Sequence, residues 1–109
     1  MQITNEMGVI TIEKAVYQDI AKVAVNKIEG VRFISSIFDI LGFDNKIKVQ
    51  SKNQRPNITI EVEGDYGLSL PQKGKEIQEA VHDLIARLLN NQLADINVFF
   101  KRVATGSIR

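Results

Sequence analysis

The chain has 109 residues, 14 Lys and Arg against 13 Asp and Glu, one His and no Cys. A chain of this length builds one core and reads as one domain, residues 1–109, with the ordered part over about 8–103 and a tail at 104–109. A net charge of +1 sets up no long-range field toward nucleic acid or an anionic membrane, and the missing thiols exclude disulfides, thiolate metal sites and a cysteine nucleophile.

A single histidine also excludes a multi-histidine metal site within one chain. The start, MQITNEMGVITIEK, has neither a basic segment nor an apolar run, so no signal peptide is expected. No apolar stretch approaches the roughly 20 residues that span a bilayer, so direct membrane insertion is not expected either.

In chain order, GVITI (8–12) reads as the first strand. A helical period follows, with Val16, Ile20, Val23, Ala24 and Ile28 on one stripe and Asp19, Lys22, Asn26 and Lys27 elsewhere. Glu13 and Lys27 suit the two ends of the helix dipole, and Gly30 takes the left-handed position that stops the helix near Glu29. Val31–Ile37 reads as a second strand. The stretch 34–45, ISSIFDILGFDN, is too apolar for a solvated loop and leaves three readings open: an extended strand, a short helix, or an apolar knob.

A hairpin comes next. Ile47 and Val49 alternate with Lys46, Lys48 and Gln50, while Ile58, Ile60 and Val62 alternate with Thr59, Glu61 and Glu63. A four-residue loop over Asn53, Gln54, Arg55 and Pro56 places Val49 beside Ile60 and Ile47 beside Val62. That register also sets Lys48 across from Glu61 and Lys46 across from Glu63, so one arrangement serves both faces.

The second helix lies within 68–91. Ser69 and Gln72 have capping-box spacing, Pro71 fits the first turn, and Asn90 and Asn91 suit the end. Its apolar stripe is Ile77, Val81, Leu84, Ile85 and Leu88, widened by Ala80 and Leu89, with an Asp83–Arg87 pair on the wet face. A last strand carries Ile96, Val98, Phe100 and Val103. The order strand, helix, three strands, helix, strand is that of an α+β two-layer sandwich, with both helices on one face of a mixed or antiparallel sheet.

The segments GVITI (8–12), IEGV (28–31), ITIEVEGDYG (58–67), IQEAV (77–81) and INVFFKRV (96–103) resemble the alkaline shock protein family of Gram-positive bacteria, the envelope stress response family. The resemblance covers about 8–103. Glu13 departs from it by standing where many members have a serine or threonine cap. The resemblance implies a small, non-enzymatic cytoplasmic protein of cell-envelope homeostasis, with no cofactor, that self-associates and has a protein partner, membrane-anchored in some members.

Individual residues offer little chemistry. His82 has Glu79 before it but no nucleophile beside it in sequence, and reads as a surface histidine. Gly64-Asp65-Tyr66-Gly67 matches the G-x-x-G of an RNA-clamping loop but follows a strand and carries an acid, so a turn explains it better. Lys73 and Lys75 could hold an anion at a helix N-terminus, and Lys46, Lys48, Lys52 and Arg55 form a basic run without interleaved aromatics. The basic hairpin 46–55 and the Gly64–Gly67 loop make nucleic-acid binding the alternative function, with Lys73 and Lys75 as further anion contacts. The candidate protein-interaction surface is Phe33, Ile37, Phe38, Ile40, Leu41 and Phe43, an apolar cluster dense enough to seek a partner. Replacing Phe38 and Leu41 together by Asp is expected to reduce oligomer size in gel filtration while leaving the fold intact; a folded variant of unchanged size removes this segment from the interface.

Overall fold

A computed structural model describes residues 1–34, 46–90 and 92–105. The described elements are β1 (Gln2–Asn5), β2 (Gly8–Thr11), α1 (Lys14–Asn26), β3 (Val31–Arg32), β4 (Ile47–Lys52), β5 (Arg55–Asp65), α2 (Leu70–Leu88) and β6 (Asp95–Ala104). This is the expected α+β sandwich with one strand more at the start: β1 and β2 form a separate two-stranded ribbon. The 34–45 question falls on residues 35–45, outside the described residues. Of the strand expected over Val31–Ile37, Val31–Arg32 forms it, residues 33 and 34 do not, and residues 35–37 lie outside the described residues.

The main sheet is organised around β5. β4 pairs with the first half of one edge and β3 with the last residues of the same edge, both antiparallel, while β6 runs parallel along the other edge. The sheet is therefore mixed and three strands wide. Ile58, Ile60 and Val62 of β5 are fully buried on the helix face, and the odd-numbered residues between them point to the other face. Burying each such side chain is worth roughly 1.5–3 kcal/mol. Ile77, Val81 and Ile85 of α2 and Tyr17, Ala21, Ala24 and Val25 of α1 close the same core.

Four details differ from the expectation. The β4–β5 connection is a two-residue turn, Asn53–Gln54, with φ of 50° and 64°. With both residues in the left-handed conformation the turn matches the right-handed twist of the paired strands, and so Arg55 and Pro56 join β5 rather than the loop. Ile47 then faces Ile60 and Val49 faces Ile58, a slip of two residues that leaves every side chain on its expected face. Lys48 faces Thr59 instead of Glu61, and Lys46 comes beside Glu61 instead of Glu63.

Second, α1 is rotated. Val16 and Val23 are exposed, and Tyr17, Ala21 and Val25 take their place, because small alanines let the helix approach the sheet closely. The helix ends at Asn26, and no side chain caps it at Glu13. Third, α2 starts after Ser69 with Pro71 in its first turn, but Ser69 makes no side-chain cap hydrogen bond; the backbone carbonyl of Ser69 accepts from Lys73 N–H at 3.0 Å instead. Leu88 is exposed near the helix end, and the left-handed Asn90 follows. Among the described residues, the ion pair on α2 is Lys73–Glu76 rather than Asp83–Arg87.

Fourth, β6 carries a bulge: Val62 pairs with Phe100 and Glu63 with Arg102. The extra residue, Lys101, shifts the alternation so that Val103 returns to the helix face opposite Gly64. Ile96, Val98, Phe100 and Val103 thus share one face despite their uneven spacing. The turn gives a direct check. A non-glycine residue in left-handed conformation costs about 1–2 kcal/mol, partly offset by the entropy glycine loses on folding. Gln54→Gly is therefore expected to raise stability by about 0.5–1 kcal/mol in urea denaturation.

Candidate interaction surface

The ribbon follows from local chemistry. Asn5 Oδ1 accepts a hydrogen bond from Met7 N–H at 2.8 Å, closing the turn over Glu6 and Met7, and Gly8 takes φ +144°. Ile3 then pairs with Ile10, and Thr4 with Val9. At the root, Ile12 N–H donates to Met1 O at 2.6 Å and Met1 N donates to Ile12 O at 2.8 Å. By strand alternation Met1, Ile3, Ile10 and Ile12 share one face.

Of that face only Ile12 is covered, Met1 remaining 48% exposed. Ile12 packs against the core, whereas Ile3 is 42% exposed, Ile10 52% and Met7, at the tip, 94%. A lone two-stranded ribbon is marginally stable in water, so an uncovered apolar face on one marks a contact surface. The sequence reading began its first strand at Gly8 and missed β1; the signal was Ile3 at alternating spacing, followed by Asn5 and Gly8 at turn positions.

Where the ribbon meets the domain there is a cleft of about 410 Å³, lined by Met1, Ile12, Tyr17, Val49, Gln54 and Pro56 among others. The Tyr17 ring is buried, and its hydroxyl donates to Gln92 Oε1 at 2.8 Å and lies 3.6 Å from Met1 Sδ. Burial raises the phenol above its ordinary pKa, because the phenolate loses solvation there.

A second concave region runs along the free side of β6 beneath α2. One cleft, of about 320 Å³, is walled by Leu70, Pro71, Gly74, Val98 and Phe100. The next, of about 430 Å³, carries Arg55, Lys75, Glu79, His82 and Asp95. Gln78 lines both, and its Nε2 donates to Ile96 O at 3.0 Å.

The sheet face away from the helices is ionic. Glu61 pairs with Lys101 at 3.6 Å, Asp95 with Arg55 at 2.9 Å, and Arg32 with both Asp65 and Glu63. The hydrogen bond to Asp65 holds the Arg32 guanidinium above its ordinary pKa. These are exposed pairs, each worth at most about 1 kcal/mol.

The basic candidates are thereby dispersed. Arg55 is held by Asp95 and Lys73 by Glu76. Lys48 and Lys52 are exposed along β4, and Lys46 precedes that strand, its backbone carbonyl accepting from Glu61 N–H. Lys75 sits apart from them, on α2 at the β6 cleft. The Gly64–Gly67 loop clamps nothing: a Cβ on Gly64 would lie 2.7 Å from Leu70, and Gly67 adopts φ +94°. Packing and turning account for both glycines. His82 is exposed, and among the described residues no group of three His, Cys, Asp or Glu is placed to hold a metal ion. Of the apolar candidates, Phe33 is half-buried against the core; Ile37, Phe38, Ile40, Leu41 and Phe43 lie outside the described residues.

Fold and surface together describe a small α+β domain with an exposed apolar ribbon and two clefts between α2 and β6. The chain belongs to the alkaline shock protein family, described as having a cell envelope-related function, with a match over residues 2–105. This is the family that the sequence segments resemble. No curated protein and no solved structure matches the chain. Among the described residues no helix is long and apolar enough to cross a membrane.

The Tyr17 environment makes a pH prediction. Its folded-state pKa lies above the unfolded one, so the neutral phenol's contribution is whole below about pH 10 and is lost as pH rises through the folded value. Denaturant titrations at increasing alkaline pH should show that loss, and Tyr17→Phe should flatten it.

Proposed function

We propose that this chain is a non-enzymatic interaction protein of the cell envelope: a cytoplasmic scaffold that self-associates and engages a protein partner tying it to the membrane. Family membership supports the envelope connection. The observation that carries the interaction role is the projecting ribbon, whose Ile3, Ile10 and Met7 stand in solvent on a two-stranded element that cannot cover them. Surface of this kind is stabilised by burial against another chain.

The nucleic-acid alternative draws no comparable support. Arg55 and Lys73 are held by acids, and the set is spread over the β4–β5 hairpin and α2.

The test is the size of the native protein in extracts of its own cells. Wild-type protein is expected in complexes larger than a monomer, part of them in the membrane fraction. Ile3→Asp with Ile10→Asp should shift it toward monomer size in both fractions. A wild-type chain that runs as a monomer everywhere sinks the proposal.

A further inference from the structure

The free edge of β6 restricts what can dock there. The strands of the main sheet lie about 5 Å apart, so β4 and β6 are about 10 Å apart across β5. Packed helices need 8–10 Å between axes. Two helices on this sheet therefore stand one over each edge strand. The contacts agree: Gln18 of α1 donates to Ile47 O of β4 at 3.2 Å, and Gln78 of α2 donates to Ile96 O of β6 at 3.0 Å.

The bond from Gln78 also turns the Ile96 carbonyl away from β5. By strand alternation, Val98 and Phe100 present their backbone groups to the same free side. A row of unpaired backbone groups invites another strand. However, β6 of a second copy with its helices on the same face would bring its own α2 to about 5 Å from the first, closer than helices can pack. The same spacing excludes β4 beneath its α1 in that orientation. A strand with no helix above it fits in either orientation.

The ribbon is such a strand pair, and its needs are reciprocal. Among the described residues it has no third strand and no cover for Ile3 and Ile10, and β6 has no outer neighbour and borders a cleft walled by Leu70, Pro71, Val98 and Phe100. The stretch of β6 ahead of its bulge, Asp95–Phe100, offers about 20 Å of edge to a four-residue strand of about 13 Å. Charge agrees as well. Glu6 is the single charged side chain in residues 1–12, and it sits at the ribbon tip. At the cleft beyond Gln78 Arg55 and Asp95 hold each other, and Lys75 is a cation with no ion-pair partner among the described residues.

We propose that the β1–β2 ribbon of one copy adds to the free edge of β6 on a second copy, with Ile3 and Ile10 turned toward Leu70, Pro71, Val98 and Phe100 and Glu6 toward Lys75. The inference rests on the self-association reading above and assigns its surfaces. Each copy has one ribbon and one groove, so the contact is head-to-tail and association does not stop at two.

The experiment uses purified full-length protein and light scattering over a concentration series. Wild type should grow past a dimer with concentration. Ile3→Asp/Ile10→Asp lacks a working ribbon and should stay monomeric. Lys75→Glu, on the exposed face of α2, should weaken association about tenfold or more through like charge, and adding Glu6→Lys to it should restore association. Mixing the ribbon variant with Lys75→Glu leaves one good groove and one good ribbon, and should give 1:1 dimers that grow no further. Circular dichroism confirms that each variant is folded. If wild type associates and the folded variants leave its size unchanged, these surfaces are wrong while self-association stands. If wild type stays monomeric throughout, both fall.

Discussion

Every strand of the main sheet pairs with β5 and with no other strand among the described residues. β4 and β3 share one of its edges and β6 takes the other, so the sheet exists only through this strand's two rows of hydrogen bonds. Its helix face is fully buried and supplies Ile58, Ile60 and Val62 to the core. Gly64 closes the row. Lacking a Cβ there, the strand lets Leu70 and Phe100 approach, and that lets the helix following β5 begin directly over it.

The same constraint shapes the outside of the molecule. A three-strand sheet is only as wide as two packed helices, so each helix stands over an edge and reaches down with a glutamine to one edge carbonyl. The ribbon at the start of the chain lies apart from that sheet: two strands whose Ile3 and Ile10 stay exposed.

Much of this was legible in the residues. Alternation over Ile58–Glu63 and the 3.6-residue stripe of Ile77, Val81 and Ile85 are local signals, and each element formed where its pattern lay. Where the reading slipped, the pattern was degenerate. A hairpin slipped by two residues keeps every side chain on its face, so alternation is equally satisfied by both registers, and the turn's twist decided between them. In α1, Val16 and Val23 widened the Ile20–Ala24 stripe on one side as well as Tyr17, Ala21 and Val25 do on the other; burial favoured the side whose small residues let the helix come close. The candidate surface divided similarly. Phe33 packs against its own core, and the strongest exposed apolar surface among the described residues lies in a ribbon whose first strand is too short for its period to stand out.

The sequence by itself determined every element but the first short strand, their order, the α+β class and the family, because these depend on periods and turn residues within a few positions of one another. Tertiary structure decided what depends on distant parts of the chain. It made β6 parallel to β5, placed the bulge that returns Val103 to the helix face, and brought Lys101 to Glu61 and Arg32 to Glu63. It also set each helix over an edge. Those outcomes follow from strand spacing, helix diameter and the close packing of one shared core, none of which is written in any single segment.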